Sequence, residues 1–295
     1  MQQYWARRGE WLEMTPGRSL IRQEQQLEDW LRHTLGVPQH LLSAWKHSEG
    51  LKVAGDRLRM RVFADEPCDY EAADEPAEIL YEDDACLVAY KPAGMAVHPT
   101  TPEQHAARHT LAHAVACHYA WTGVEARIRH IHRLDTDTSG PVLYAKTALS
   151  HAILDEAMRH KAIDRQYAAV VQGKVASLQG TIDAPIGKDR HHRGRRRVTD
   201  NGDHAVTHYE VVRCTDSLSL VRCTLETGRT HQIRVHMSHI GHPLAGDVLY
   251  GGGAQHIRRQ ALHGELLRFH HPFGGDYIQV QAPMPSDMAH LCQKI

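Results

Sequence analysis

Apolar positions fall into two regimes along the chain. Between Leu20 and about Val62 they are sparse and periodic. Leu27, Trp30, Leu31 and Leu35 recur at helical spacing and predict an amphipathic helix. Pro38 opens a second short helix carrying Leu41, Leu42 and Trp45, and Gly50 closes it. "LKVAG" and "RLRMRVF" then read as two short strands. From Ile79 onward the apolar pattern is denser. "CLVAYKPAG", "PVLYAKT", "YAAVVQG" and "DYIQVQAP" predict strands, and "HAVTHYEVVRC" and "LSLVRCTLETG" predict an antiparallel pair. Helices are expected after Thr110, over "ALSHAILDEAMRHK", and over "THQIRVHMSHIG" with Gly241 as its stop. In the second of these, Leu149, Ala152, Ile153 and Ala157 form the apolar face. Strands outnumber helices and do not alternate strictly with them. The expected fold is α+β, with a mixed, mainly antiparallel sheet preceded by a small α+β module. The expected divisions are a polar lead over 1–19, the small module over 20–63, an acidic linker over 64–77 and a large domain over 78–295.

Composition adds little until it is resolved by position. With 42% hydrophobic and 23% charged residues, 295 residues suffice for a soluble chain with a sizeable core. The net charge of −1 points to no partner, but it hides two opposed runs. Every charged residue from Asp65 to Asp84 is acidic, whereas "KDRHHRGRRR" over 188–197 is nearly all basic. Arg195, Arg196 and Arg197 in that run suit a polyanion, the alternative being a solvated loop. None of the six cysteines forms a C-x-x-C pair, and no disulfide framework or metal knuckle is expected. His105, His109 and His113 have i, i+4 spacing, but His105 and His109 fall before the cap at Thr110, in an expected loop. With no H-E-x-x-H nearby, no metal site is expected. There is no apolar leader segment and no apolar run of about 18 residues, so the expectation is a cytoplasmic protein with no membrane partner.

The sharpest chemical feature is "HIHRLDTDTSGPVLYAKT", 130–147, with Asp135 and Asp137 two residues apart. An aspartyl-phosphate hydrolase would place its Asp at the end of a buried apolar strand followed by a helix. Here the preceding residues are polar and basic, and a strand follows. An aspartic protease would need a second copy of the half-site, and there is none. Attack on a base or sugar remains, beside an Asp that only caps a turn.

Several segments decide together. "KPAGMAVHP", "HRLDTDTSG", "RQYAAVVQG", "GRRRVTDNGDHAVTHYEV", "LETGRTHQIRVHMSHIGHPLAGDVLYGG" and "ALHGELLRFHHP" occur in the order seen in the RluA-type pseudouridine synthases. The chain resembles that family over about residues 78 to 290, and the resemblance implies that the large domain is a pseudouridine synthase catalytic domain. The resemblance implies that Asp135 is the catalytic aspartate, Tyr167 the active-site tyrosine, Arg234 the cation paired with Asp135, and Arg133 the arginine that helps displace the target base. Arg229, His231 and Gln232 crowd the same glycine turn as Arg234 and are expected to contact RNA, as are Arg195, Arg196 and Arg197. The implied reaction breaks a C–N glycosidic bond and forms a C–C bond to the same base, with no net electron transfer. No cofactor is therefore implied. The carboxylate can attack C1′ or C6, or stabilise positive charge on the ribose, and the sequence leaves these open. The N-terminal module resembles a degenerate S4 RNA-binding unit, with Pro38 and Gln39 where Ser-Arg is usual. The implied partner is RNA: 23S rRNA first, tRNA as the alternative target, acted on by a monomer. The competing class is a catalytically silent ribosome-assembly factor on the same fold.

Overall fold

The computed structural model describes residues 5–295. Two antiparallel sheets form the large domain. The first has four strands in the order Glu78–Glu82, Cys86–Lys91, Gly140–Ala145 and Arg129–His130. The second has six, in the order Gln179–Asp183, Val206–Cys214, Leu218–Leu225, Asp164–Gln172, Leu262–His270 and Tyr277–Gln281. Among the described residues, parallel pairing is confined to isolated bridges at Ala96–Thr110 and Ser139–His263. The α+β expectation is met, with less parallel character than "mixed" implied.

The strand Cys86–Lys91 is apolar on both faces because both are covered. Leu87 and Ala89 face one core cluster with Leu111, Val115 and Tyr119 of the helix Leu111–Thr122. Cys86 and Val88 face another with Leu154 of the helix Ala148–Arg159. That second helix buries Leu149 and Leu154 and caps itself through Thr147 and Ser150. Leu149 serves a third cluster, so the helix bridges two cores. Among the described residues, no helix is long and apolar enough to cross a membrane.

Three expectations change. Residues 5–14 do not form a polar lead. Trp5–Arg8 and Trp11–Met14 form a hairpin through Gly9 (φ +60°) and pair onto Arg57–Arg61, which in turn pairs with Leu51–Ala54. Leu12 and Met14 alternate inward to the core of Leu27, Leu31, Leu42, Trp45, Leu58 and Met60, a period-2 pattern too short to stand out in a polar stretch. Residues 1–4 of the expected lead lie outside the described residues. The small module is packed against the large domain, because Ala85, Leu149 and Phe273 complete its core.

The acidic segment 64–77 is a docked strap rather than a free tether. Its backbone N–H groups at Glu66, Ala73 and Ala77 donate to the carbonyls of Glu125, His113 and Ala114. Glu66 pairs with Arg129 at 2.7 Å and Asp69 with Arg127 at 3.5 Å. Acidic composition suggested a linker, but these carboxylates have cations to meet across the chain. His105, expected in a loop, lies in the short helix Pro102–Ala107, which Thr101 caps. Among the described residues, no group of three or more His, Cys, Asp or Glu is placed to hold a metal ion.

Candidate active site

The two sheets meet where the Asp135 loop enters the strand Gly140–Ala145. Gly264 N–H donates to the Ser139 carbonyl at 2.8 Å, and Ser139 Oγ and His263 Nδ1 are 2.9 Å apart. Gly140 has φ +140°, and a Cβ there would stand 2.7 Å from the Gly264 carbonyl oxygen, so only glycine permits this approach. Beneath the loop lies Lys91, fully buried. Its ammonium donates to the carbonyls of Pro92, Met95 and Thr136 at 2.8, 2.6 and 2.8 Å. Burial lowers Lys91 to about 7, against the pull of Asp137 and Asp135. The loop is thus tied from below and from the side, and it closes on itself through Thr138 N–H to the Asp135 carbonyl at 3.0 Å.

Asp135 opens into a cleft walled by Tyr167, Arg165, Arg133, Gly228, Arg229 and Arg234. Arg234 Nη1 donates to Asp135 Oδ2 at 3.0 Å. The other edge of the same guanidinium is clamped by Asp247, which accepts from Nε at 2.7 Å and Nη2 at 2.9 Å. Asp247 is 2% exposed and Arg234 7%. Burial works against the Arg234 charge, but the bonds and charge of Asp247, joined by Asp135, outweigh it and hold the group above its ordinary value. The Tyr250 ring lies 5.0 Å from this guanidinium, and its hydroxyl accepts from Arg196 N–H at 2.9 Å. Asp247 and Tyr250 lie within "HPLAGDVLYGG", yet neither was singled out in the sequence. What identifies them is their approach to a side chain more than ten positions away in the chain, which no local pattern records.

Tyr167 sits on the central strand Asp164–Gln172, 5% exposed, with its ring in the cleft wall. Burial raises its hydroxyl above the ordinary phenol range, Asp135 adds to the rise and Arg165 opposes it. Arg133 is exposed at the cleft mouth. His231 Nε2 is 3.9 Å from Asp135 Oδ2, with Nδ1 held 2.8 Å from the Tyr250 hydroxyl. Burial keeps His231 below its usual value, with Asp135 opposing. Arg229 Nε donates to the His204 carbonyl at 3.0 Å, leaving its terminal nitrogens at the cleft.

Two expected RNA contacts are placed differently from one another. Gln232 is 3% exposed, and its amide is already spent. Its Oε1 accepts from Thr227 Oγ1 and Arg229 N–H, and its Nε2 donates to the Val206 carbonyl and Thr207 Oγ1. It braces the turn and has no group left for RNA, which corrects its assignment as a contact. The basic run, by contrast, is brought to the site. Ile186–Lys188 and Arg196–Val198 pair as a hairpin, Arg196 is tied to Tyr250, and Arg195 lies 5.6 Å over the Tyr250 ring. Arg197 is exposed on the same strand.

Residues 85–239 match the family model described as RNA pseudouridylate synthase. The chain is 41% identical over 287 residues to the Bacillus subtilis protein named Uncharacterized RNA pseudouridine synthase YhcT, covering 97% of this chain and 93% of that one. It is 40% identical over 235 residues to Ribosomal large subunit pseudouridine synthase D of Nitrosomonas europaea, covering 77% of this chain and 67% of that one. Human RNA Pseudouridylate Synthase Domain Containing 1 shares the fold, with a TM-score of 0.59 and 24% identity over 72% of this chain and 86% of that one.

Proposed function

From a chain that belongs to the RNA pseudouridylate synthase family, and is an RNA uridine isomerase on that ground, we infer that Asp135 is the catalytic carboxylate and that large-subunit ribosomal RNA is the substrate. The observation that carries the site is the chain Asp247–Arg234–Asp135, a buried clamp that aims one guanidinium edge at one carboxylate in an open cleft. The fixed positive edge holds the Asp135 carboxyl in the cleft, where a carboxylate can act on C1′ or C6 or stabilise charge on the ribose. The target uridine has to leave its stack, at a cost of roughly a few kcal/mol, to reach this depth. Tyr167 offers a ring on which the uracil can stack, and Arg133 at the mouth is placed to occupy the vacated space. The large-subunit assignment rests on relatives named for that RNA, with tRNA as the alternative target. The small N-terminal module is assigned to RNA docking, and the enzyme to a monomer in the cytoplasm.

Release of tritium from 5-tritiated uridine, compared between large-subunit rRNA and tRNA transcripts, tests the assignment. Release from rRNA is expected; release from tRNA alone would move the target. A folded protein that binds RNA and releases nothing would favour an assembly factor. Tyr167→Phe keeps the ring and removes the hydroxyl. If that hydroxyl moves a proton in the reaction, the variant is expected to lower kcat by about 100-fold with KM nearly unchanged. A loss confined to KM would reduce Tyr167 to a stacking platform. Replacing Arg195, Arg196 and Arg197 together with Gln is expected to weaken RNA binding and lower the slope of log affinity against log salt by roughly 0.7–0.9 per lost phosphate contact. An unchanged slope would take the hairpin out of the interface.

A further inference from the structure

Several arginines of this chain meet carboxylates, among them Arg59 with Glu13, Arg129 with Glu66, Arg222 with Glu265 and Arg259 with Asp287. Around Gly228 three that do not are gathered at one spot. Among the described residues, Arg133, Arg165 and Arg229 have no carboxylate oxygen within the 4.0 Å that defines an ion pair. Arg165 is the least expected of the three. It lies two residues before Tyr167 on the same strand, so the strand period turns both side chains to one face. Its Nε is buried without a hydrogen-bond partner. Gly228 makes room for it, since a Cβ there would lie 2.9 Å from Arg165 Nη1.

Two depressions share this spot. One is the cleft of Asp135, Tyr167 and Arg234. The other is a groove running toward Arg159 and Lys161, and Arg133, Arg165, Gly228 and Arg229 border both. The one carboxylate lining the groove, Glu226, is occupied by Lys161 at 2.9 Å and His208 at 2.7 Å. A half-buried guanidinium with an orphaned N–H is costly unless an anion completes it, and its planar fork fits two phosphate oxygens.

We propose that Arg165, flanked by Arg133 and Arg229, is a phosphate-binding subsite that holds the phosphodiester next to the target uridine and passes the flanking RNA strand into the Arg159–Lys161 groove. This rests on the nucleoside entering the Asp135 cleft. A base stacked at Tyr167 carries its phosphates at the cleft mouth, where these three cations stand.

The probe is a short oligouridylate, compared with the same oligomer carrying neutral methylphosphonate links. Binding is measured against salt for wild type, Arg165→Gln, Arg165→Lys and Gly228→Ala, with tritium release from rRNA followed in parallel. Arg165→Gln is expected to weaken oligouridylate binding about 10-fold and flatten the salt slope by roughly 0.7. Gly228→Ala, which displaces the guanidinium without removing its charge, should weaken binding in the same direction. Arg165→Lys should keep the salt slope while losing affinity, because the point charge stays and the fork is lost. The methylphosphonate oligomer should bind wild type and Arg165→Gln alike. A wild-type slope in Arg165→Gln, or equal discrimination between the two oligomers by wild type and variant, overturns the subsite. Should Arg165→Gln fail to fold, Arg165→Lys and Gly228→Ala decide by the same oligomer comparison. Normal tritium release with an unchanged slope removes the subsite and leaves the isomerase assignment standing. A slope that falls on Arg165→Gln while the wild-type protein itself releases no tritium keeps the phosphate site and removes the isomerase assignment.

Discussion

Asp135→Asn is expected to lower the isomerisation rate by about four orders of magnitude or more while RNA affinity stays within a few-fold. The two side chains have nearly the same shape. Asn can still accept from Arg234 Nη1, now 3.0 Å from the carboxylate, so the loop has no reason to move. Lys91, Thr138 and Gly264 hold that loop through backbone groups that the substitution leaves alone. What disappears is the negative charge, and with it both nucleophilic attack and stabilisation of a cationic ribose. Single-turnover tritium release set against RNA binding by fluorescence anisotropy separates the two effects. A variant within about tenfold of wild type would remove Asp135 from the chemistry.

Asp247→Ala is the second large effect, and it strikes stability and activity together. Arg234 and Asp247 are both buried, and Asp247 neutralises the guanidinium through two short bonds. Removing one partner of such a pair leaves an uncompensated buried charge and costs about 3–5 kcal/mol. Arg234 also loses its fixed edge and can turn toward Asp135 in geometries that no longer suit the reaction. A fall in Tm with activity reduced beyond detection is expected. The double variant Asp247→Ala/Arg234→Met removes the orphaned charge, so it should recover much of the lost stability and none of the activity. If the double variant is as unstable as the sum of the single ones, the clamp is not an electrostatic unit.

The legible and illegible parts of this site divide by sequence distance. Asp135, Tyr167 and Arg234 stand inside ordered motifs, and the family resemblance those motifs carry names them. The structure brings them to one cleft from a loop, a central strand and a helix N-terminus. Asp247 and Arg165 lie in the same quoted segments but show no chemistry of their own there: an Asp after Gly reads as a turn, and an Arg before a strand reads as a surface residue. Their meaning appears only when Arg234 and Gly228 arrive beside them. Gln232 failed the other way, because a polar residue in a dense motif looked available for RNA while its four hydrogen bonds turn inward. In the fold, long apolar strands such as Gly140–Ala145 were plain, since both faces are buried. The hairpin 5–14 was not, since it turns only two residues, Leu12 and Met14, fully inward.

The most direct test of the central claim is nucleoside analysis of large-subunit rRNA after incubation with the wild-type protein, with no nucleotide or redox cofactor added, beside Asp135→Asn. Pseudouridine should appear in the wild-type reaction, matched by an equal loss of uridine, and be absent from the variant reaction. A folded wild-type protein that binds the RNA and yields no pseudouridine, or a variant that yields as much, would contradict the account.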